Sequence, residues 1–573
     1  MNNPRSILLI ALLLVTYLVW NQWQQDYSMP RPLDPATTAV VPGDAPAPDT
    51  PAGAPAAAVP GETPQPSAPN AATATPAAPT TAAVPPGKLI EVSNDVLRLW
   101  IDTRGGSIVR GDLLAYPQEP KDYEHPVRLF DNASATYFVA QSGLVSSQGI
   151  APDHQAEFTA EKDSYALDAG QASVEVPLTW HDAASGLTVR KVYVLTRGSY
   201  VLATRQEIRN DGAAAWTGNA YRQLQRVPPI KKAGGLAFTN PESFSFTGAA
   251  WFSPEDKFKK IAFDKYTKDP LANRAVTGGW VAMLQHYFFA AWLPPATEAE
   301  QYTTTTLLNG GTTRYLIRAM GPSITVAPGA NASSEARLYV GPKAQSTLNE
   351  VAPGLALTID YGILTVLSEP LHWILAKLHA VTGNWGFAII LLVLLIKLAM
   401  FKLSETQFRS MAKMRKLAPR VQSINERYGS DPQKKNQAMM ELYQKEKINP
   451  LGSCLPMLVQ IPVFLALYWV LIESVELRHA PFIGWIQNLT APDPYFVLPI
   501  LNAATMIATQ YLTPTTGMDP MQAKMMKIMP VVFSVMFAFF PAGLVLYWTV
   551  NGLSSLAQQY IITRRIEAAD AKA

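Results

Sequence analysis

Lys397 interrupts the otherwise apolar run from Phe387 to Met400 in a chain of 573 residues. A lysine at the centre of a bilayer helix costs about 2.5–3.5 kcal/mol to insert, so something must hydrate the ammonium or pair with it. The other apolar runs hold no Asp or Glu, only Gln460, Thr505, Thr509, Gln510, Ser534, Thr549, Asn551, Ser554, Ser555, Gln558 and Gln559. Hydroxyls and amides solvate a cation without neutralising it. The expected setting is water entering a helical bundle lined by these polar groups, with Lys397, Gln460, Thr505, Thr509 and Gln558 as the candidate hydrophilic site residues. A second reading competes: Lys397 lies five residues before Lys402. If Asn384 opens the helix, the ammonium sits about 20 Å along it and can snorkel to an interface.

Other chemistry is missing from the pattern. The chain has no G-x-x-x-x-G-K phosphate loop, no G-x-S-x-G elbow, no H-E-x-x-H and no paired Cys-x-x-Cys. No cofactor, metal or nucleotide-driven step is expected, and the protein is not expected to be an enzyme. The single cysteine, Cys454, excludes an intramolecular disulfide and is expected to pack as a small apolar side chain. His286, within Gln285-His286-Tyr287-Phe288, is expected in a strand with a structural role.

Composition sets the class of fold that must position these groups. Only 16% of residues are charged, against about 25% in soluble domains, and 48% are apolar. The 47 basic and 44 acidic residues leave a net charge of +3, too little for a nucleic-acid binder. Residues 1–29 hold one hydrophobic segment, Ile7 to Trp20, with no small-residue cleavage site after it, and are expected to be a retained signal anchor. Residues 30–88 hold 16 prolines in 59 positions and are expected to be a disordered tether. From 89 to 345, period-two alternation, as in Leu97, Leu99 and Ile101, predicts an all-β sandwich, with turns at Arg104-Gly105-Gly106 and Asn210-Asp211-Gly212.

Residues 360–380 place Leu364, Leu367, Leu371, Ile374, Leu375 and Leu378 on one helical face, apart from Ser368, Glu369, His372 and Lys377. That spacing predicts an amphipathic helix on a membrane surface. Five apolar segments follow within 384–563, at about 385–401, 455–472, 495–512, 525–540 and 543–562, each near the length of a bilayer core. With the N-terminal anchor they make six spans. Between Lys402 and Lys447 lie 11 Lys and Arg against 5 Asp and Glu, which assigns that loop to the cytoplasm. Both termini, including the short tail 564–573, then lie in the cytoplasm if Pro541-Ala542-Gly543 is an external hairpin, and the β domain lies outside.

The loop 402–450 is expected to be a helical hairpin. Met411, Met414, Leu417, Val421, Ile424 and Tyr428 share one helix; Met439, Met440, Leu442 and Tyr443 lie on the next. Methionine faces adapt to varied apolar partners, so Met411, Met414, Met439 and Met440 are candidate client contacts, although the two faces packing on each other would explain most of these residues equally.

Several long motifs resemble the YidC/Oxa/Alb family of membrane protein insertases. They are Asn449-Pro450-Leu451-Gly452-Ser453-Cys454-Leu455-Pro456, Gln460 to Tyr468, Asp519-Pro520-Met521-Gln522 and Phe540 to Trp548. The outer segment, with Gly278 to Phe288 and Tyr339-Val340-Gly341-Pro342, is similar to the large periplasmic domain of the Gram-negative form. The resemblance implies an N-terminal anchor, a periplasmic β-supersandwich of mutarotase-like shape, and a five-span core in the bacterial inner membrane, with a hydrophilic groove open to cytoplasm and lipid. It also implies nascent membrane proteins as clients, contacts to them at Val393, Phe464, Tyr547 and Trp548, and the Sec translocon with its accessory subunits as partner. Ribosome contact would come through the basic cytoplasmic loops. The family's groove charge is commonly arginine; Lys397 keeps the charge but loses the planar fork of donors. A transporter or lipid-flipping protein would instead need an acidic intramembrane partner or internal repeats, and a membrane-tethered carbohydrate-active enzyme would need a carboxylate or histidine cluster in the sandwich.

Overall fold

The computed structural model describes residues 87–229, 245–309, 311–428, 431–446, 455–512 and 520–570. The expected N-terminal anchor, nearly all of the tether, Cys454 and Asp519 lie outside the described residues.

Among the described residues, nineteen strands between Leu89 and Pro342 form one ten-stranded and one nine-stranded sheet. Alternation decides which faces meet. In Val201–Asn210 the buried positions Leu202, Thr204, Gln206 and Ile208 alternate with more exposed ones, and this strand pairs antiparallel with both Leu187–Thr196 and Asn331–Pro342. Leu99, Ile101, Phe138, Tyr193, Trp292 and Leu338 fill the space between the sheets. Each such side chain contributes about 1.5–3 kcal/mol by leaving water. The Arg104-Gly105-Gly106 turn requires its glycines: Gly105 has φ +68°, and a Cβ there would sit 2.2 Å from the His154 carbonyl oxygen. His286 departs from its expected strand, because it lies in the turn between Trp280–Leu284 and Phe288–Leu293.

The outer face of the nine-stranded sheet is apolar as well. Phe252, Trp280, Phe289 and Tyr339 continue through Leu348 of helix α1 (Gln345–Val351) into Leu375, Ile389, Leu467 and Val470 of the helices that follow. The β domain is thus packed on the helices. Polar ties reinforce the junction: Arg478 Nη1 donates to Pro117 O at 2.8 Å, Lys121 Nζ to Gln487 Oε1 at 2.9 Å, and His286 Nε2 to Ile472 O at 3.1 Å.

Helix α2 (Thr365–Thr382) flanks the bundle and packs Leu371, Ile374, Leu375 and Leu378 of the expected apolar face against it, with Ser368 and His372 buried beside them. Ser368, His372 and Leu375 point inward, with Ser368 Oγ donating to Ala466 O at 3.2 Å, while Val366 and Trp373 are exposed. Gly383 ends α2 in the left-handed conformation, and Asn384 caps α3 (Trp385–Ala399) by accepting from the backbone N–H groups of Gly386 and Phe387.

Beyond Met400, α4 (Phe401–Lys416) bends away from α3. The continuous helix expected over 411–428 breaks at Leu417, because Pro419 sits in the first turn of α5 (Ala418–Tyr428) and supplies no amide to a helix running through it. Asp431 caps α6 (Pro432–Lys445). Leu417, Val421, Met439 and Tyr443 form a small core between α5 and α6.

The remaining helices are α7 (Leu455–Glu473), α8 (Val497–Leu512), α9 (Pro520–Phe537) and α10 (Ala542–Asp570). No single described helix is long and apolar enough by itself to cross a membrane; Trp385–Ala399 and Phe401–Met414 are so together, bent by 66°. Lys524 and Lys527 shorten the apolar part of α9, and Asn551, Gln558 and Gln559 interrupt α10. The amides of Ala542 and Gly543 donate to Ala491 O at 2.7 Å and Leu489 O at 2.8 Å. The α9–α10 turn and the α7–α8 loop therefore share the bundle end that carries the β domain.

Candidate functional site

Lys397 sits in the last turn of α3, only 8% exposed, and its Nζ donates to Ser555 Oγ on α10 at 2.7 Å. Gln558 Nε2, one turn further along α10, donates to Lys397 O at 3.4 Å. One turn the other way, Asn551 Oδ1 accepts from Gln460 Nε2 on α7 at 2.6 Å. Positions 551, 555 and 558 share a helical face, so α10 carries a polar strip that α3 and α7 meet from two sides. Lys397, Gln460 and Gln558 are thereby brought together.

Thr505 and Thr509 belong less directly to the strip. Their hydroxyls donate within α8, to Asn502 O and Thr505 O, both at 2.8 Å. Thr505 nevertheless faces α10 at Gly552, where a Cβ would lie 2.7 Å from its Oγ1. That close approach is why glycine occupies 552.

Toward the β-domain end the strip gives way to aromatics. Phe464 packs on Trp548 at 4.8 Å between ring centres and on Tyr547 at 6.0 Å, and Phe537 on Trp548 at 5.6 Å. Trp548 and Ser555 are seven residues, about 10 Å, apart along the helix. Polar lining therefore stops about halfway along the bundle. Of the positions expected to meet clients, Val393 and Tyr547 are buried in the shared apolar core, and Phe464 and Trp548 are partly buried against it. Met439 is buried in the α5–α6 core, Met414 packs against it, Met411 on α4 is half-buried, and Met440 is exposed.

Gln558 Oε1, Gln510 Nε2 and Trp548 Nε1 are buried without a hydrogen-bond partner among the described residues. Groups of this kind are met by water or by a bound chain. Two residues of the strip, Asn551 and Ser555, carried no special signal beyond being polar in an apolar run. Their i, i+4 spacing with Gln559 was the available clue.

The β domain carries a concavity of about 450 Å³, lined by Arg205, Trp280, Pro294, Glu335, Arg337 and Pro353 among others. It is far from Lys397 in the fold and holds one carboxylate and no histidine. Among the described residues no group of three or more His, Cys, Asp or Glu could hold a metal ion.

Comparison with known proteins covers both halves of the chain. Residues 89–374 match the family model of the YidC periplasmic domain, and residues 377–569 match that of the 60Kd inner membrane protein. The membrane protein insertase YidC of Xanthomonas campestris pv. campestris is 47% identical over 99% of this chain and 98% of its own length. That of Thioalkalivibrio sulfidiphilus is 45% identical over 100% of both chains. The crystal structure of an active YidC insertase aligns over 83% of this chain and 94% of its own, with 18% identity and a TM-score of 0.37. By its two family models and its full-length relatives, the chain belongs to the YidC family of membrane protein insertases.

Proposed function

We propose that this protein inserts nascent membrane proteins into the bacterial inner membrane through the polar strip around Lys397. The observation that carries the reading is a buried ammonium whose hydrogen-bond partner among the described residues is one neutral hydroxyl, with no carboxylate among them paired to it. Such a charge is stable only where water reaches it, and it attracts any acidic segment that enters. A short hydrophilic stretch of a client enters the wet strip from the cytoplasmic side and crosses only part of the low-dielectric layer. The client's apolar segment moves along the outside of the bundle into lipid. Partitioning supplies the drive, about 0.3–0.6 kcal/mol per strongly apolar residue. The aromatic packing of Phe464, Phe537 and Trp548 closes the strip at its outer end, so it acts as a groove rather than a pore.

Six spans, with both termini in the cytoplasm and the β domain in the periplasm, suit this mechanism. Two observations support that topology: the 11 to 5 excess of basic residues in 402–447, and the α9–α10 turn lying at the same end as the α7–α8 loop. The basic α4–α6 region is a surface for the ribosome, and the periplasmic domain is a surface for the Sec translocon.

Photo-crosslinking amino acids at Gln460, Thr509 and Gln558 should give adducts with stalled nascent membrane proteins. Adducts confined to lipid-facing controls such as Leu398 and Val535 would contradict the groove.

A further inference from the structure

We propose that Ser555 is a positioning residue that holds the Lys397 ammonium over the groove without neutralising it; the proposal rests on the reading of Lys397 as the groove charge. Ser555 Oγ donates its one proton to Asn551 O, four residues back, at 2.8 Å. With that proton committed, the hydroxyl's lone pairs face α3 and accept from Lys397 Nζ at 2.7 Å. The acceptor is itself braced. Asn551 is tied to α7 by Gln460 at 2.6 Å, and Gln558 donates to the Lys397 carbonyl at 3.4 Å.

Lysine needs such a holder more than arginine would. Its ammonium rides on a flexible four-carbon stem, and Lys397 lies two residues from the end of α3, so an unheld side chain swings toward the cytoplasmic interface. A hydroxyl suits the task because it fixes the ammonium with one of its three N–H donors. The full charge and two donors stay available to a client carboxylate. An aspartate at the same place would hold the lysine as firmly and cancel its field.

The test uses the full-length protein in liposomes and two clients with the same apolar segment, one with an acidic and one with a neutral translocated tail. Ser555→Ala should lower insertion of the acidic-tailed client about fivefold, the factor that goes with loss of one hydrogen bond, and change the neutral-tailed client by less than about twofold. Ser555→Thr, which keeps the hydroxyl, should restore insertion. Ser555→Asp should fold and lose the preference for the acidic tail. In a Lys397→Leu background Ser555→Ala should have no further effect. If Ser555→Ala matches the parent while Lys397→Leu impairs the acidic-tailed client, the groove charge works without its holder and the positioning role is wrong. Equal loss for both clients, not rescued by Ser555→Thr, would assign Ser555 to helix packing and also overturn the proposal. If Lys397→Leu is itself silent for both clients, the failure belongs to the groove reading on which the proposal rests.

Discussion

Lys191 and Lys397 are both buried lysines, and the sandwich and the helical bundle treat them in opposite ways. Lys191 points into the sandwich, where its ammonium donates to Gly105 O at 2.6 Å and Ser142 O at 2.8 Å and lies 5.1 Å from the Phe158 ring. Both acceptors are backbone carbonyls fixed by the turn and ladder around them. Burial pushes the Lys191 pKa down to about 7. Among the described residues Lys397 is fixed by one hydroxyl from a different helix. A cation with backbone acceptors on two sides organises the fold around itself; a cation with a single neutral partner keeps donors for something that arrives later.

The buried Arg222–Glu300 pair extends the first pattern and offers the sharpest way to break the comparison. Arg222 donates to Glu300 Oε1 at 2.5 Å and to Ser334 Oγ and Glu335 O, both at 2.7 Å, and both charged side chains are almost fully buried. Burial raises the Glu300 pKa against the pull of Arg222. Glu300→Ala leaves a guanidinium buried with its charge uncompensated, which should destabilise the sandwich by about 3–5 kcal/mol. A shift of the β-domain melting transition by about 10 °C, with insertion per folded molecule unchanged, is the expected outcome. An unchanged transition would show that sandwich charges are as dispensable for folding as Lys397 is held to be.

A pH series sharpens the comparison with a smaller effect. The folded Lys191 pKa lies below the ordinary lysine value, so between pH 7 and about 10 the unfolded chain binds more protons and stability rises with pH. Lys191 should add on the order of 2 kcal/mol to stability between pH 7 and pH 9. Urea unfolding of the parent and of Lys191→Met at the two pH values checks this: the parent should gain and the variant should not. A gain common to both would place its origin elsewhere.

The smallest expected effect is that of Lys397→Arg, which keeps the charge. Insertion of acidic-tailed and neutral-tailed clients should stay within about twofold of the parent, as expected for a point charge whose fork geometry is not used. A large loss would mean that the compact ammonium and its bond to Ser555 matter more than the charge.

Local patterns made much of this architecture legible. Alternation marks the strand Leu97–Asp102, and Asn384 marks the start of α3. What stayed hidden depended on partners distant in sequence. Ser368 and His372 face inward because α7 offers them a carbonyl and a packing surface, which no local periodicity encodes. His286 stands in a turn without glycine or proline to announce it. Lys397 announced itself as a charge in an apolar run, but Ser555 is 158 residues away and looks like any other polar residue of α10. Sequence thus pointed to the charge, whereas folding selects the hydroxyl that holds it.

The most direct test of the central claim is Lys397→Leu, measured for stability and for insertion on the same preparation. Removing a charge that the fold does not need should leave the melting transition of the full-length protein equal or higher, while insertion of an acidic-tailed client falls by about tenfold or more, the factor that corresponds to about 1.4 kcal/mol. A variant that inserts acidic-tailed and neutral-tailed clients as well as the parent does would contradict the claim and leave Lys397 as a lysine that merely reaches for the membrane surface.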